Sequence, residues 1–216
     1  MRDERRALHK IISVVSPFIP SFEVLDLSHI GKYSRSLSKK VSVEYNPDVV
    51  VGIANCGIYP AFEVSSNLGC EMDTIRISHY YQNKPLVLCD VHDPTFFVLP
   101  AFGYLRRKVV KKSNPVLIRD TKSKSFEGKN VLIVDDDTGS GITMEMAKEI
   151  LKGKNPQNVK TAVLFKVGDY EPDFFARERY IKKFIYPWKK TSPYYEEYLQ
   201  KMSEFGLSSI ISSMNS

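Results

Sequence analysis

Cysteine is scarce in this chain of 216 residues, with only Cys56, Cys70 and Cys89. Thiols so few and so scattered exclude a disulfide framework or a cysteine-rich zinc site, and they fit a reducing compartment. No uncharged run is long enough to span a bilayer, which excludes a helical membrane protein. The charged start Met1-Arg2-Asp3-Glu4-Arg5-Arg6 has no signal-peptide core behind it. Together these absences predict a cytoplasmic protein. Charge of one sign is not gathered into blocks either. The net charge of +6 comes from 31 Lys and Arg against 25 Asp and Glu, interleaved along the chain. That spread argues against a nucleic-acid partner and suits a field that attracts small polyanions. Cys89, His92 and Asp93 lie near one another, but no second cluster completes a metal site. What remains is ordinary: 43% apolar and 26% charged residues suit a soluble globular protein of one α/β domain with elaborations.

The chain is organised around Val131-Leu132-Ile133-Val134-Asp135-Asp136-Asp137-Thr138-Gly139-Ser140-Gly141-Ile142-Thr143. Four β-favouring apolar residues in a row predict a strand buried on both faces, as in parallel sheets. Ala147, Ile150 and Leu151 give the stretch from Met144 one apolar helical face, and Lys152-Gly153 stops it. Between strand and helix lie three carboxylates and a small, hydroxyl-rich turn. Open α/β folds bind ligands at this edge of the sheet. A turn that opens a helix offers unpaired N–H groups backed by the helix dipole, which suits a phosphate. Carboxylates just ahead of it suit sugar hydroxyls, or a metal ion met through water. An acid pair for a diol followed by a phosphate nest describes a ribose 5-phosphate site. A Walker A loop would need a lysine that Gly141-Ile142-Thr143 lacks, and a dinucleotide fingerprint needs a third glycine with no acids ahead of it.

This stretch resembles the phosphoribosyl pyrophosphate (PRPP) motif of type I phosphoribosyltransferases, matching at Asp135, Asp136, Ser140, Gly141 and Thr143. The resemblance implies an open, mostly parallel twisted sheet with helices on both faces, plus a hood. The core would cover about residues 48–165, the hood and an insertion about 79–125, and a base-binding region about 166–216 with the N-terminal helices. It implies transfer of ribose 5-phosphate from PRPP to a purine base, with a nucleotide and pyrophosphate as products, Mg²⁺ as cofactor and a homodimer as assembly. Asp135 and Asp136 would hold the ribose hydroxyls and meet Mg²⁺ through water. Thr138, Gly139, Ser140, Gly141, Ile142 and Thr143 would hold the 5′-phosphate.

A second strand–turn–helix signal, Pro47 to Ile53 running into Ala54-Asn55-Cys56-Gly57 and a helix through Leu68, falls where the family has its pyrophosphate loop. Asn55 and Cys56 replace the family's basic residue and first glycine there. Asp73 to Ser78 alternates as a strand, and Ser78-His79-Tyr80 resembles the start of the hood. From Tyr81 to about Lys124, Pro85–Leu88, Phe96–Leu99, Val109–Val110 and Pro115–Ile118 predict short antiparallel strands. Asn158 to Lys166 predicts the next parallel strand. Spacing predicts helices at residues 4–15, at 28–40 with Ser28 as cap, and at 194–212.

The choice of base rests on conflicting residues. Lys166 sits where 6-oxopurine enzymes carry the lysine that contacts the exocyclic oxygen. Glu171-Pro172-Asp173-Phe174 and Phe184-Ile185-Tyr186-Pro187-Trp188 resemble the same branch, with Phe184 or Ile185 on the base and Lys189 in place of its acid. Those enzymes place an Asp general base just before the Ser/Thr-Gly pair, where this chain has Gly139. That loop is closer to the adenine form, so the sequence favours adenine and keeps the 6-oxopurines as the alternative. Asp137, or Glu145 one helical turn into the site, would then act as catalytic base. A PRPP-sensing regulator without catalysis is the further alternative.

Overall fold

The computed structural model describes residues 22–54, 56–81, 84–86, 114–178 and 183–207. The helix expected at 4–15, Asn55, the Cys89-His92-Asp93 group and the apolar runs at 96–99 and 109–110 lie outside the described residues. In chain order the elements are β1 (Phe22–Val24), α1 (Leu27–Glu44), β2 (Val49–Ala54), α2 (Ile58–Leu68), β3 (Glu71–Tyr81), β4 (Lys84–Leu86) and β5 (Asn114–Arg119). There follow β6 (Asn130–Asp137), α3 (Ile142–Lys152), β7 (Asn158–Lys166), β8 (Phe174–Glu178), β9 (Lys183–Ile185) and α4 (Tyr195–Glu204). They gather into two compact units, residues 31–178 and residues 1–30 with 179–216.

The larger unit is a seven-stranded sheet of order β4-β3-β2-β6-β7-β8, with β5 also on β3. The β3-β2-β6-β7-β8 neighbours are parallel, while β4 and β5 run antiparallel to β3. This is the mostly parallel α/β sheet expected, with antiparallel additions at one edge. Its central strands are apolar on both faces because helices cover both. On one face, Val49, Val51, Ile53, Val131, Ile133 and Val163 pack with Met144, Ala147 and Leu151 of α3. On the other, Gly52 admits Ala61 of α2, whose Cβ lies 2.7 Å from where a Gly52 side chain would begin. At the β8 edge, Lys40 donates to the carbonyls of Phe175 (2.8 Å) and Ala176 (3.3 Å), which blunts an otherwise open strand.

In the smaller unit β1 and β9 pair in parallel. Beside them Tyr186 stacks on Trp188 at 4.9 Å between ring centroids, and Trp188 meets the edge of Tyr198 at 6.2 Å.

Three boundaries differ from the sequence reading. α1 begins at Leu27 and is capped by Asp26 rather than Ser28, since the Asp26 carboxylate accepts the N–H of His29 at 2.8 Å. Burial works to raise the Asp26 pKa, but the bonds from His29 and Ser28 outweigh it and hold the carboxyl below its ordinary range. β6 does not stop at Val134: pairing with β7 continues through Asp135 opposite Val163 and Asp137 opposite Phe165. The acids are therefore strand residues rather than part of the connecting turn. α4 ends at Glu204, eight residues before the expected stop at 212, because Gly206 and Leu207 turn back onto the carbonyls of Ser203 (3.0 Å) and Met202 (2.9 Å).

β8 is clipped to β7 by Asp173. Its carboxylate accepts the Lys160 ammonium, the Thr161 N–H and the Thr161 hydroxyl, each at 2.8 Å. Burial raises the Asp173 pKa, but these donors prevail and leave it below the ordinary value of 3.8. A depressed folded-state pKa supplies stability above the unfolded value and loses it as pH falls through the folded one. Asp173→Asn is therefore expected to cost about 1–2 kcal/mol at pH 7 and to reduce the acid-induced loss of stability. Thermal melts of both proteins at neutral and acidic pH check this. Equal melting at neutral pH would rule out the clip.

Candidate active site

The site begins with three successive carboxylates at the C-terminal end of β6. Val131 to Val134 are fully buried, so they fix the strand in the sheet centre and carry the acids to its edge. The N–H of Asp136 donates to the Asp135 carboxylate (2.9 Å), and that of Asp137 to the Asp136 carboxylate (2.8 Å). Asp136 is buried, while Asp135 and Asp137 are half-buried. Burial first, and then the Asp136 charge, push the Asp135 carboxyl well above the usual carboxylate range, with the Asp136 N–H pulling the other way. Such a cluster favours anything that shares its charge: a proton, sugar hydroxyls or a cation. Gly57, the N-cap of α2, sits directly against it. A β-carbon there would lie 2.8 Å from Asp135 Oδ1, 2.7 Å from the Val134 carbonyl and 2.8 Å from the Ile53 carbonyl. The absence of a side chain is what brings the loop after β2 onto the end of β6.

The following loop is held by the end of β7. The Thr138 hydroxyl donates to the Val167 carbonyl (2.6 Å) and accepts the Val167 N–H (2.8 Å), while the Thr138 N–H reaches the Phe165 carbonyl at 3.3 Å. The Gly141 N–H then closes a turn on the Thr138 carbonyl at 2.8 Å. Gly141 is the N-cap of α3, with φ +77°, a conformation that costs a side-chain-bearing residue of order 1 kcal/mol. There is also no space for one. A β-carbon would run into the ring of Tyr170, lying 2.9 Å even from that residue's Cβ. The opening turn of a helix leaves N–H groups without acceptors inside the helix, and α3 opens at Ile142. Gly141→Ala is expected to destabilise the fold by about 2 kcal/mol from strain and overlap together, measured by urea unfolding. An unchanged midpoint would mean that Tyr170 moves freely.

The candidate site therefore consists of acids at the end of a strand followed by a left-handed glycine that opens a helix. A family model described as the phosphoribosyl transferase domain matches residues 23–189. The chain belongs to the phosphoribosyltransferase family. Over 42 residues it is 45% identical to hypoxanthine-guanine phosphoribosyltransferase of Dictyostelium discoideum, a match covering 19% of this chain and 23% of that protein. The chain thus aligns with about a quarter of that curated relative's length. Among solved structures, the purine phosphoribosyltransferase of Pyrococcus horikoshii Ot3 superposes with a TM-score of 0.59 at 23% identity, covering 78% of this chain and 94% of that one. The xanthine-guanine-hypoxanthine phosphoribosyltransferase of Helicobacter pylori gives a TM-score of 0.58 at 17% identity, with coverage of 78% and 94%. At these identities the superpositions establish a shared fold.

The remaining residues expected of a phosphoribosyltransferase fall as follows. Ser140 and Gly139 are exposed at the loop tip, and Ile142 and Thr143 are half-buried at the start of α3. Ala54 ends β2 and is buried. Cys56 is buried and disulfide-bonded, a bond that the scattered cysteines did not predict, whereas Cys70 is a free thiol. Asn55 lies outside the described residues. Ser78, His79 and Tyr80 continue β3 and pair with β5, and the side chains of the latter two lie outside the described residues. Lys166 ends β7 and ion-pairs with Glu171 and, at 3.2 Å, with Glu178. Phe184 and Ile185 are buried in β9 of the smaller unit. Glu145 is exposed, and its carboxylate accepts the Tyr170 hydroxyl at 2.6 Å. Sequence reasoning missed Tyr170 and Glu178, and it named Glu171 only within a family segment, not as a partner of Lys166. Their partners are set by tertiary contact, and no local pattern around them signals it.

Proposed function

We propose that this phosphoribosyltransferase moves the 5-phosphoribosyl group of PRPP to a nitrogen of a 6-oxopurine, releasing pyrophosphate. The observation that carries the transfer reaction is the continuous run of strand-end acids, left-handed Gly139 and Gly141 (φ +48° and +77°) and the N-terminus of α3. In this reading residues 138–143 receive the 5′-phosphate, using first-turn N–H groups and the hydroxyls of Ser140 and Thr143, while Thr138 holds the loop to Val167. Asp135 and Asp136 accept hydrogen bonds from the two ribose hydroxyls. Gly57 lies against Asp135, and the segment Ala54, Asn55, Cys56 and Gly57 would receive pyrophosphate.

The general base in this reading is Asp137. Its Oδ1 lies 3.9 Å from where a side chain on residue 139 would begin, so a carboxylate reaches the space left by Gly139. As the purine nitrogen bonds to the anomeric carbon and the bond to the pyrophosphate oxygen breaks, Asp137 takes the proton leaving that nitrogen. The oxygen-only donors Asp135 and Asp136 suit Mg²⁺, which keeps waters and substrate phosphates among its ligands. Bound there, it would neutralise charge developing on pyrophosphate. Asp135 and Asp136 would meet the ion through water. The 42-residue likeness to a hypoxanthine-guanine enzyme, with Lys166 ending β7, supports the oxopurine. Adenine is the second reading, favoured by Gly139 itself. A homodimer belongs to the same proposal.

Pyrophosphate release from PRPP and Mg²⁺, with adenine, hypoxanthine, guanine, xanthine and uracil in separate reactions, tests the proposal. Turnover with an oxopurine alone supports it, and turnover with adenine alone selects the second reading. PRPP binding without turnover on any base overturns the enzyme and leaves a PRPP-sensing protein.

A further inference from the structure

The first turn of α3 carries an acid where a phosphate-binding helix should avoid one. Glu145 is in that turn, and its N–H bonds to the carbonyl of the N-cap Gly141 at 2.9 Å. Its carboxylate therefore lies on the first turn of the helix whose N-terminus the proposed reading gives to the 5′-phosphate. An acid in this position stabilises the helix when the site is empty, but it repels the anion the site is to receive. One hydroxyl changes its situation. Tyr170, in the loop between β7 and β8, donates to Glu145 Oε1 at 2.6 Å.

The same tyrosine is fixed at its other end. Its ring lies over Gly141, where a β-carbon would overlap it, and it packs against the apolar cluster formed with α3. The loop that carries it is clamped two ways to the loop after β6. Val167 exchanges two hydrogen bonds with Thr138 (2.6 and 2.8 Å), and Gly168 approaches the Gly139 carbonyl so closely that a β-carbon would lie 3.0 Å from it. Burial, and then the bond to Glu145, raise the tyrosine pKa, so the hydroxyl remains a donor across the working range. A rigid donor thus meets a carboxylate at one fixed place.

We infer that Tyr170 is a positioning residue that ties Glu145 to the loop after β7, so that its carboxylate does not swing onto the phosphate-binding N-terminus of α3, and so sets affinity for phosphorylated ribose. The inference rests on the phosphate role proposed for residues 138–143. It predicts an asymmetry that simple packing does not. Tyr170→Phe keeps the ring over Gly141 and removes only the hydroxyl, so the fold is retained while Glu145 is released. If repulsion is the consequence, removing the Glu145 charge cancels it.

The experiment is calorimetric titration of the full chain with ribose 5-phosphate, alongside KM for PRPP and kcat. Tyr170→Phe should bind ribose 5-phosphate about fivefold more weakly and raise KM for PRPP by a similar factor, with kcat little changed. Adding Glu145→Gln to Tyr170→Phe should restore binding to the wild-type level. Glu145→Gln alone should bind at least as tightly as wild type, which keeps the test decisive if Tyr170→Phe fails to fold. Unchanged binding in Tyr170→Phe, no rescue in the double variant, or weaker binding in Glu145→Gln would each overturn the inference while leaving the phosphate loop intact. Failure of the wild type to bind ribose 5-phosphate would instead overturn the phosphate role of residues 138–143, and this inference with it.

Discussion

Replacing Asp137 by Asn is expected to lower kcat with the preferred purine by roughly 10²–10⁴-fold, the range spanned by a positioned proton acceptor. Asn keeps the size of the side chain and its ability to accept hydrogen bonds, but it cannot take the purine proton. The Asp137 N–H bond to the Asp136 carboxylate (2.8 Å) is a backbone interaction and survives the change, as does the pairing of residue 137 with Phe165. Melting temperature should therefore move little, and so should KM for PRPP. The decisive comparison adds an acid at residue 139. Gly139 has open space where a side chain would begin, with Asp137 Oδ1 at 3.9 Å as its near neighbour. Its φ of +48° is one that Asp tolerates better than most residues. Gly139→Asp in the Asp137→Asn background should recover part of the lost rate. Full activity of Asp137→Asn would remove Asp137 from the mechanism.

The second large effect is expected at Gly57. Gly57→Ala should cost about 1–3 kcal/mol and reduce PRPP-dependent turnover by roughly tenfold or more. The added methyl group would meet the carbonyls of Val134 and Ile53 at 2.7 and 2.8 Å and Asp135 Oδ1 at 2.8 Å. Neither carbonyl can yield easily. Val134 lies in β6 where it pairs with β2, and the Ile53 carbonyl already accepts the Gly57 N–H at 2.9 Å. The chain must move apart between the loop after β2 and the end of β6, the two segments proposed to hold pyrophosphate and ribose. Gly31→Ala in α1 is the control, since a β-carbon there meets Arg35 and Glu63 at 3.4 and 3.6 Å, ordinary contact distances. It should be neutral or stabilising by about 0.5–1 kcal/mol. Equal behaviour of the two variants in melting and turnover would discard the close approach as a constraint.

Much of this architecture is legible locally. The run Val131–Val134 is apolar at every position, and only a strand covered on both faces accounts for that; α2 and α3 supply the covering. The turn from Asp137 to Thr143 was readable because glycines, hydroxyls and acids in that order leave few alternatives for the backbone. Misreadings occurred where two signals competed at short range. Ser28 is a good cap residue, yet Asp26 two positions earlier reaches the His29 N–H and takes the role. The acids of β6 look like turn residues in isolation, and become strand residues because β7 offers them partners.

The sequence by itself determined the α/β class, the buried strand Val131–Val134, the glycine-containing turn into α3 and, through its motif, membership of the phosphoribosyltransferase family. These depend on side-chain period, hydrogen-bonding inventory and backbone freedom, all of which act between near neighbours. Only the tertiary structure decided that Gly57 abuts Asp135, that Lys166 is matched by Glu171 and Glu178, and that Tyr170 joins Gly141 to Glu145. Each of these joins segments brought together by the order of strands in the sheet. That order is fixed by which apolar faces bury one another, a choice made by the whole chain at once.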